Sequence, residues 1–548
     1  MLNSNGVKEI QQYAFNGSRL EEVYLHRNVD LERIDEFAFD GVIHGPTYLD
    51  LSDTKVCSLP LIGIKTIEKL KAKNTWTLKV LPPFRTFLHL QSAELTFPSH
   101  CCGLKKLKRW RGDSEAVICN LTRALGPQDP QGYLGHALHR RLNASFALQP
   151  AAAAAAATAA AAAAAAVDLA GCHDGPMCPS RESPSEGQFY VELPPERPDD
   201  GFDFALCDGP HLAERGLLCT PLPDALNPCE DVVSQGFLRV LLCVVSPLAV
   251  SANFLVMFIL LTSQQKFSVT RFLMGHLAFA DFCMGVYLLL VASVDLYTRS
   301  YYHRYAIAWQ TEGGCNLAGA ISVFGCELSV YTLTLISLQR WHAIFYAMRA
   351  DRRVRLRHAA ALMLAGWLLC ATLAVLPLVG VSSYQKVSIC LPMDTEKPAA
   401  RAYVVSLLML NVVAFTVVSL CYLHIYLMVH NPRHQSSRAD TSMAKRMALL
   451  VFTNFLCLAP ICFYGLFAVL HQPLMTITDS KVLLVLFYPL NSCAHPFFYA
   501  LLTKAFHRDI LMLLSRMGLC QRQAHLYRSH LVSIPPCSPA HMAQHVPV

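Results

Sequence analysis

Among the ionisable or amide side chains that stand inside long apolar runs are Asn253, Asp281, Asn454, Asn491 and His495. At bilayer depth such groups are costly, so each one marks a functional contact. A transporter would gather them around a substrate path, usually across two repeated halves, and no such internal repeat is present. An enzyme would need a clustered catalytic or metal-binding set. No such cluster exists, so no catalytic residue, metal or cofactor is expected. What remains is a set of single polar residues on separate helices.

The elements that position these residues follow from composition. The chain has 548 residues, 53% of them hydrophobic and 16% charged, where soluble domains carry about 25% charged residues. Mean hydropathy is +0.34. The scarcity is uneven: residues 1–236 carry ordinary charge, and seven apolar runs follow at 237–262, 272–294, 315–341, 358–380, 402–429, 444–470 and 480–502. Each is long enough to cross a bilayer, which takes about 20 residues. A lone run could be a buried core helix, but seven in series are spans. The loops after the first, third and fifth runs are basic, for example Arg349, Arg352, Arg353, Arg355 and Arg357 against Asp351. Those loops belong in the cytoplasm, with the N-terminus outside. The net charge of +7 is too small and dispersed for nucleic acid.

Residues 1–110 repeat. Leu20, Val23, Leu25 and Asn28 fit the L-x-x-L-x-L-x-x-N pattern, and the central positions 23, 49, 70 and 93 are 26, 21 and 23 residues apart. That spacing is that of a leucine-rich α/β solenoid. The alternate strand residues face outward: Glu22, Tyr24 and His26; Tyr48, Asp50 and Ser52; Lys69, Lys71 and Lys73; Ser92, Glu94 and Thr96. Any one of them alone reads as solvated strand polarity. Together they read as a protein-binding face of mixed sign.

Residues 111–236 read as a hinge holding a low-complexity alanine tract at 151–166, and 504–548 as a cytoplasmic helix and tail. Sequons stand at Asn16, Asn120 and Asn143, and Cys520 in the tail is a palmitoylation candidate. Nine cysteines precede the first run, and Cys315 and Cys390 can bridge a helix end to a loop. Nine is odd, so one is expected to be unpaired, and Cys57, inside the repeats, is the expected one. The first ten residues are polar and no capping repeat precedes the array. Missing N-terminal repeats, or insertion directed by the first spans, are the two expectations.

Motifs sharpen this reading. Asn253, Leu277–Asp281, Gln339-Arg340-Trp341, Trp367, Cys457–Pro460 and His495–Tyr499 occur one per helix and in order. They resemble the rhodopsin-like G-protein-coupled receptors. ELSVYTLT, KVSICLPMDTE, NTWTLK, FPSHCC and NPCED narrow the resemblance to the glycoprotein hormone receptors, over residues 1–130 and 200–525. SVDLYT, AMRADRR and QRQAHLYR point to the thyrotropin branch, with the lutropin/choriogonadotropin and follitropin branches left open. A relaxin-type or orphan repeat receptor, and a non-signalling scaffold, are the rival readings.

The resemblance implies a fold: a seven-helix bundle behind a disulfide-linked hinge and a partial solenoid. It implies a partner on each side of the membrane, a hormone α/β heterodimer outside and a stimulatory heterotrimeric G protein inside, with cAMP as output. Self-association is left open. It implies that Cys101, Cys102 and Cys119 pair with Cys219, Cys229 and Cys207; a Cys172–Cys178 bridge is our addition. Asn227, Pro228, Cys229, Glu230 and Asp231 would be an internal agonist received near Lys481. Asn253, Asp281, Gln339, Arg340, Tyr422, Asn454, Pro460, Asn491, His495, Pro496 and Tyr499 would form the activation switch.

Three departures stand out. The family's acid before the span-three arginine is Gln339 here, which restrains Arg340 less and implies raised basal activity. Its span-six aspartate is Asn454 and its span-seven asparagine is His495. The expectation is an Asn454–His495 hydrogen bond and pH-sensitive signalling. The stretch aligned with the family's sulfated tyrosine is Phe202-Asp203-Phe204, which cannot be sulfated; Tyr190 is a substitute at the wrong spacing.

Overall fold

A three-residue strand that alternates polar, apolar, polar buries its centre and leaves its flanks on the open face of a sheet. The N-terminal repeats do this. In the computed structural model, which describes residues 1–82, 87, 89–104, 217–233, 235–262, 268–346, 354–430, 438–469, 474, 476–487, 490, 492–497 and 510, the chain forms two compact units.

The first unit gathers Met1–Arg239, Leu290–Gly319 and Tyr384–Met393. Its main sheet is parallel and runs β2 (Glu22–Tyr24), β4 (Tyr48–Asp50), β5 (Lys69–Lys71), β6 (Ser92–Glu94) and β7 (Leu218–Thr220). A second pair, β1 (Glu9–Ile10) with β3 (Arg33–Ile34), lies apart from it. The register places Val23, Leu49, Leu70, Ala93 and Cys219 in one row, and all five are buried in a shared apolar core. Four of those centres are the ones that the repeat spacing predicts.

Buried turns between strands need partners for their backbone groups. Asn28 supplies them at the first: its amide donates to the carbonyls of Leu2 (2.8 Å) and Leu25 (2.7 Å), and its oxygen accepts from the N–H of Asn5 (2.9 Å) and Val7 (3.2 Å). Later repeats use threonine, with Thr75 donating to the Leu51 carbonyl at 3.0 Å and Thr96 to that of Ala72 at 2.7 Å. Leu2 and Ser4 donate their N–H to the carbonyls of Tyr24 and His26. The backbone pairing therefore begins ahead of the first repeat that the pattern detects.

The fifth strand, β7, comes from residues read as hinge. Nothing in RGLLCTPL matches the repeat pattern. Cys219 takes the buried central position, and its disulfide to Cys101 fixes it there.

The second unit comprises Val240–Leu289, Ala320–Ser383 and Asp394–Val548. The long helices that supply it are α1 (Gly236–Thr262), α2 (Val269–Tyr297), α4 (Gly313–Phe345), α5 (Leu356–Val375), α6 (Pro398–His430) and α7 (Arg438–Val469). Between α2 and α4 lies the short α3 (Tyr302–Thr311), which belongs to the first unit. The seventh span is α8 (Ile477–Val482), then a π-helical turn (Leu483–Phe487) and helical residues at 490 and 492–497. The fourth span, α5, stops at Val375, short of the expected 380. Pro377 has no N–H to continue it, and Gly380 turns the chain at φ +90. The core includes Leu277, Ala278, Leu328, Leu333, Ile336 and Met363. Gly366 lies against the Tyr331 ring, where a Cβ would clash.

Candidate functional site

On the open face of the main sheet the register sets Glu22 beside Tyr48, Lys69 and Ser92, and Tyr24 beside Asp50, Lys71 and Glu94. The Tyr24 hydroxyl donates to Glu22 at 2.9 Å, which raises the phenol above its usual pKa. Burial, with Asp50 nearby, raises Tyr48. His26 approaches Asp50 at 3.5 Å, and the Tyr24 and Tyr48 rings pack at 5.1 Å. Lys73 pairs with Glu94 at 2.7 Å; Lys71 lies 3.7 Å from the same carboxylate and 5.8 Å above the Tyr48 ring. The face thus runs from Glu22 and Asp50 to a lysine strand, with two tyrosines between. All eight residues expected to bind a ligand lie on it.

A second cluster surrounds Asn227–Asp231. Asp224 caps the turn, accepting from the N–H of Leu226 (2.9 Å) and Asn227 (2.7 Å). The Asn227 amide donates to the Lys386 carbonyl at 3.1 Å and accepts from Gln310 at 2.9 Å. Ser388 donates its N–H to the Leu226 carbonyl, and His303 and Tyr302 donate theirs to Cys229 and Glu230. Asp231 accepts from the Ser300 N–H at 2.8 Å and pairs with Arg239 at 2.9 Å. Arg239 also reaches the buried Asp295 at 2.6 Å. Two disulfides hold the cluster, Cys102–Cys229 and Cys315–Cys390, with Cys101–Cys219 alongside.

A third set lies among the helices. The Asn253 amide donates to the carbonyls of Ala249 (2.9 Å) and Ser492 (2.8 Å). Asp281, fully buried, accepts from Ser329 (3.1 Å), Ser492 (3.2 Å) and the His495 Nδ1 (2.7 Å). Arg340 donates to the Thr270 hydroxyl at 3.1 Å. The buried Oε1 of Gln339 has no hydrogen bond among the described residues. Tyr422 packs with Ile344, Ile425 and Met428, Pro460 lies within α7, and Lys481 and Pro496 are buried.

His495 pairs with Asp281 through Nδ1, while the Asn454 side chain, its expected partner, lies outside the described residues. One expectation is corrected: Cys57 is disulfide-bonded, not free. It is only half-buried, so a partner outside the repeat core can reach it; that partner is not among the described residues. Also outside them lie Cys119, Cys207, Cys172, Cys178, Asn120, Asn143, Asn491, Tyr499 and Cys520. Asn16 is exposed.

Sequence reasoning missed four groups: Gln310 and His303 on α3, the Arg239–Asp295 pair, Glu327 with Asn411, and His276. The Asn411 amide donates to buried Glu327 at 2.9 Å, and Trp367 donates to His276 at 3.2 Å. The rule that flags Asp281 would also flag Glu327 in ELSVYTLT. Gln310 gives no signal of its own, because α3 is a short helix in a loop.

The family model for the 7 transmembrane receptor (rhodopsin family) matches residues 252–499. The thyrotropin receptor of Canis lupus familiaris is 49% identical over 548 residues, covering 97% of this chain and 69% of that receptor. That of Mus musculus is 47% identical over 551 residues, with the same coverage. The follicle-stimulating hormone receptor of Cairina moschata is 47% identical over 528 residues, covering 96% and 69%. A parallel repeat solenoid, a disulfide-held hinge and this bundle, with such relatives across nearly the whole chain, define the family: the chain belongs to the glycoprotein hormone receptors, a group of rhodopsin-family seven-transmembrane receptors.

Proposed function

We propose that this receptor binds a heterodimeric glycoprotein hormone, thyrotropin first among them, on the sheet face bearing Tyr24, Tyr48 and the lysines. It then raises cAMP through a stimulatory G protein. The observation that carries the reading is the cluster at Asn227–Asp231. A five-residue segment whose backbone and side chains are held by Gln310, Lys386, Ser388, His303 and Arg239 is built to transmit displacement. It is joined covalently to the end of the repeats through Cys102–Cys229. Like its relatives, the protein is a multi-pass plasma-membrane receptor with its N-terminus outside the cell, and not an enzyme.

On this reading hormone docking moves the Asn227 segment, and the change reaches the bundle as an exchange of partners at Asp281 and Arg340. Arg340, which donates to the neutral Thr270 hydroxyl, is the group that would leave to meet a G protein. The test is to express the chain behind a signal peptide, add purified thyrotropin, lutropin, choriogonadotropin and follitropin in turn, and measure cAMP. A response to thyrotropin at the lowest concentration is expected. A stronger response to another hormone reassigns the ligand, and silence to all of them, with no basal signal, favours a scaffold.

A further inference from the structure

The loop after the second span has two faces of opposite character. Along α3, Tyr302, His303, Ala306, Ile307 and Gln310 are buried, the spacing of one helical face. That face holds the Asn227 segment: Gln310 donates to Asn227 at 2.9 Å, and the His303 N–H to the Cys229 carbonyl at 3.0 Å. The outward side differs. Arg299, Tyr301 and Arg304 are exposed, as are Leu296 and Tyr297 at the end of α2. No acid occurs from Leu296 to Thr311, and neither arginine has an ion pair among the described residues.

The chain reverses at Ser300, which sits in the left-handed region at φ +67 with its N–H on Asp231. The reversal carries α3 back beside the end of α2, so Tyr305 packs edge-on against Tyr297 at 5.4 Å. Arg304 lies over the Tyr301 ring, 5.0 Å from its centroid. A guanidinium packed on a ring can still offer its in-plane N–H fork to a phosphate. Since α2 is a span that ends outside the cell, these groups stand where hydrocarbon gives way to headgroups, a layer about 5–7 Å deep. Tyrosine suits that layer, with its ring toward the acyl side and its hydroxyl in water. Phospholipid already surrounds the end of the span, so it is the occupant at hand.

We propose that Tyr297, Tyr301 and Tyr305, with Arg299 and Arg304, form a seat for the phosphate headgroup of an outer-leaflet phospholipid. The seat fixes the depth of α3 and so steadies Gln310 and His303 on its inner side. It depends on the orientation of the second span and on no choice of hormone. The test places photoreactive p-benzoylphenylalanine at Tyr301 of the full chain in phosphatidylcholine nanodiscs. The same residue at exposed Leu364 of α5 and at exposed Val29 of the repeats gives the lipid and water references. Mass spectrometry of the irradiated peptides reads the adducts. A phospholipid adduct is expected at Tyr301 and Leu364, and none at Val29. Arg299→Gln with Arg304→Gln should lower the Tyr301 adduct, relative to that at Leu364, about 5-fold, the scale of two exposed ion pairs. A Tyr301 position as free of lipid as Val29 overturns the seat, as does an adduct to a second copy of the chain in its place. A lipid adduct that the double arginine variant leaves unchanged overturns the phosphate contact.

Discussion

His495 donates its Nδ1 proton to Asp281 at 2.7 Å, and two serine hydroxyls complete the carboxylate's shell. The four side chains bring together α2, α4 and the end of the seventh span. Removing one partner leaves buried polar atoms without a hydrogen bond.

His495→Ala should therefore lower bundle stability by on the order of 3 kcal/mol, while His495→Asn, whose amide can still donate, should lose less. The free buried cysteines Cys326 and Cys457 report unfolding through a thiol-reactive dye as the temperature rises. Equal melting of His495→Ala and wild type would contradict the pairing.

His100 gives the repeats a defined acid sensitivity. Burial holds its pKa down to about 4, against a single Nε2 hydrogen bond to the Lys79 carbonyl at 3.0 Å. A folded-state value below the ordinary 6.5 means that the unfolded chain binds the proton first. The stability supplied by neutral His100 is complete above about pH 6.5 and is lost as pH falls toward 4, by roughly 3 kcal/mol in all. Tryptophan-fluorescence melts of the full chain at pH 7.5 and 4.5 should show this loss. His100→Gln should have a flatter profile, and an unaltered one would remove His100 as the cause.

The lysine strand predicts charge-steered binding. Lys73 and Lys71 are partly neutralised by Glu94, whereas Lys69 is exposed and lies on the opposite edge of the strand. Lys69→Glu should slow hormone association about tenfold at low salt, with the difference shrinking as salt rises. Stopped-flow or sensor kinetics measure this directly. A change confined to dissociation would place Lys69 in a desolvated contact instead.

Gln310→Leu removes the donor to the half-buried Asn227 amide oxygen, a loss of about 0.5–1.5 kcal/mol. Hormone binding should be unchanged and the concentration for half-maximal cAMP should rise about tenfold. A shift in binding of the same size would mean that Gln310 supports the hormone face and not the transmitting segment.

The repeats were legible to the residue because burial imposes its period directly: Val23, Leu49, Leu70 and Ala93 are strand centres in sequence and structure alike. The spans were legible for the same reason, and their ends were not. The bilayer fixes a minimum length, and helices such as α4, from Gly313 to Phe345, run past it into loops. β7 was hidden because its burial comes from a disulfide to Cys101 and not from a leucine pattern. The Asp281 partner of His495 was not legible, because spacing along a chain says which residues are polar, not which two meet. Glu327 carries the same signal as Asp281, an acid in an apolar run, and its burial against Asn411 follows from that place.

The adjacent cysteines also bear on how this family can change over time. Cys101 and Cys102 bond across sequence separations of 118 and 127 to Cys219 and Cys229, so both ends of the intervening segment are pinned. Closure entropy grows only with the logarithm of the length between two fixed ends, by about 0.6 kcal/mol per doubling. The alanine tract at 151–166 lies between these ends, and the bonds that fix them do not depend on its length. The stretch can lengthen or shorten between species with little selective penalty from the fold.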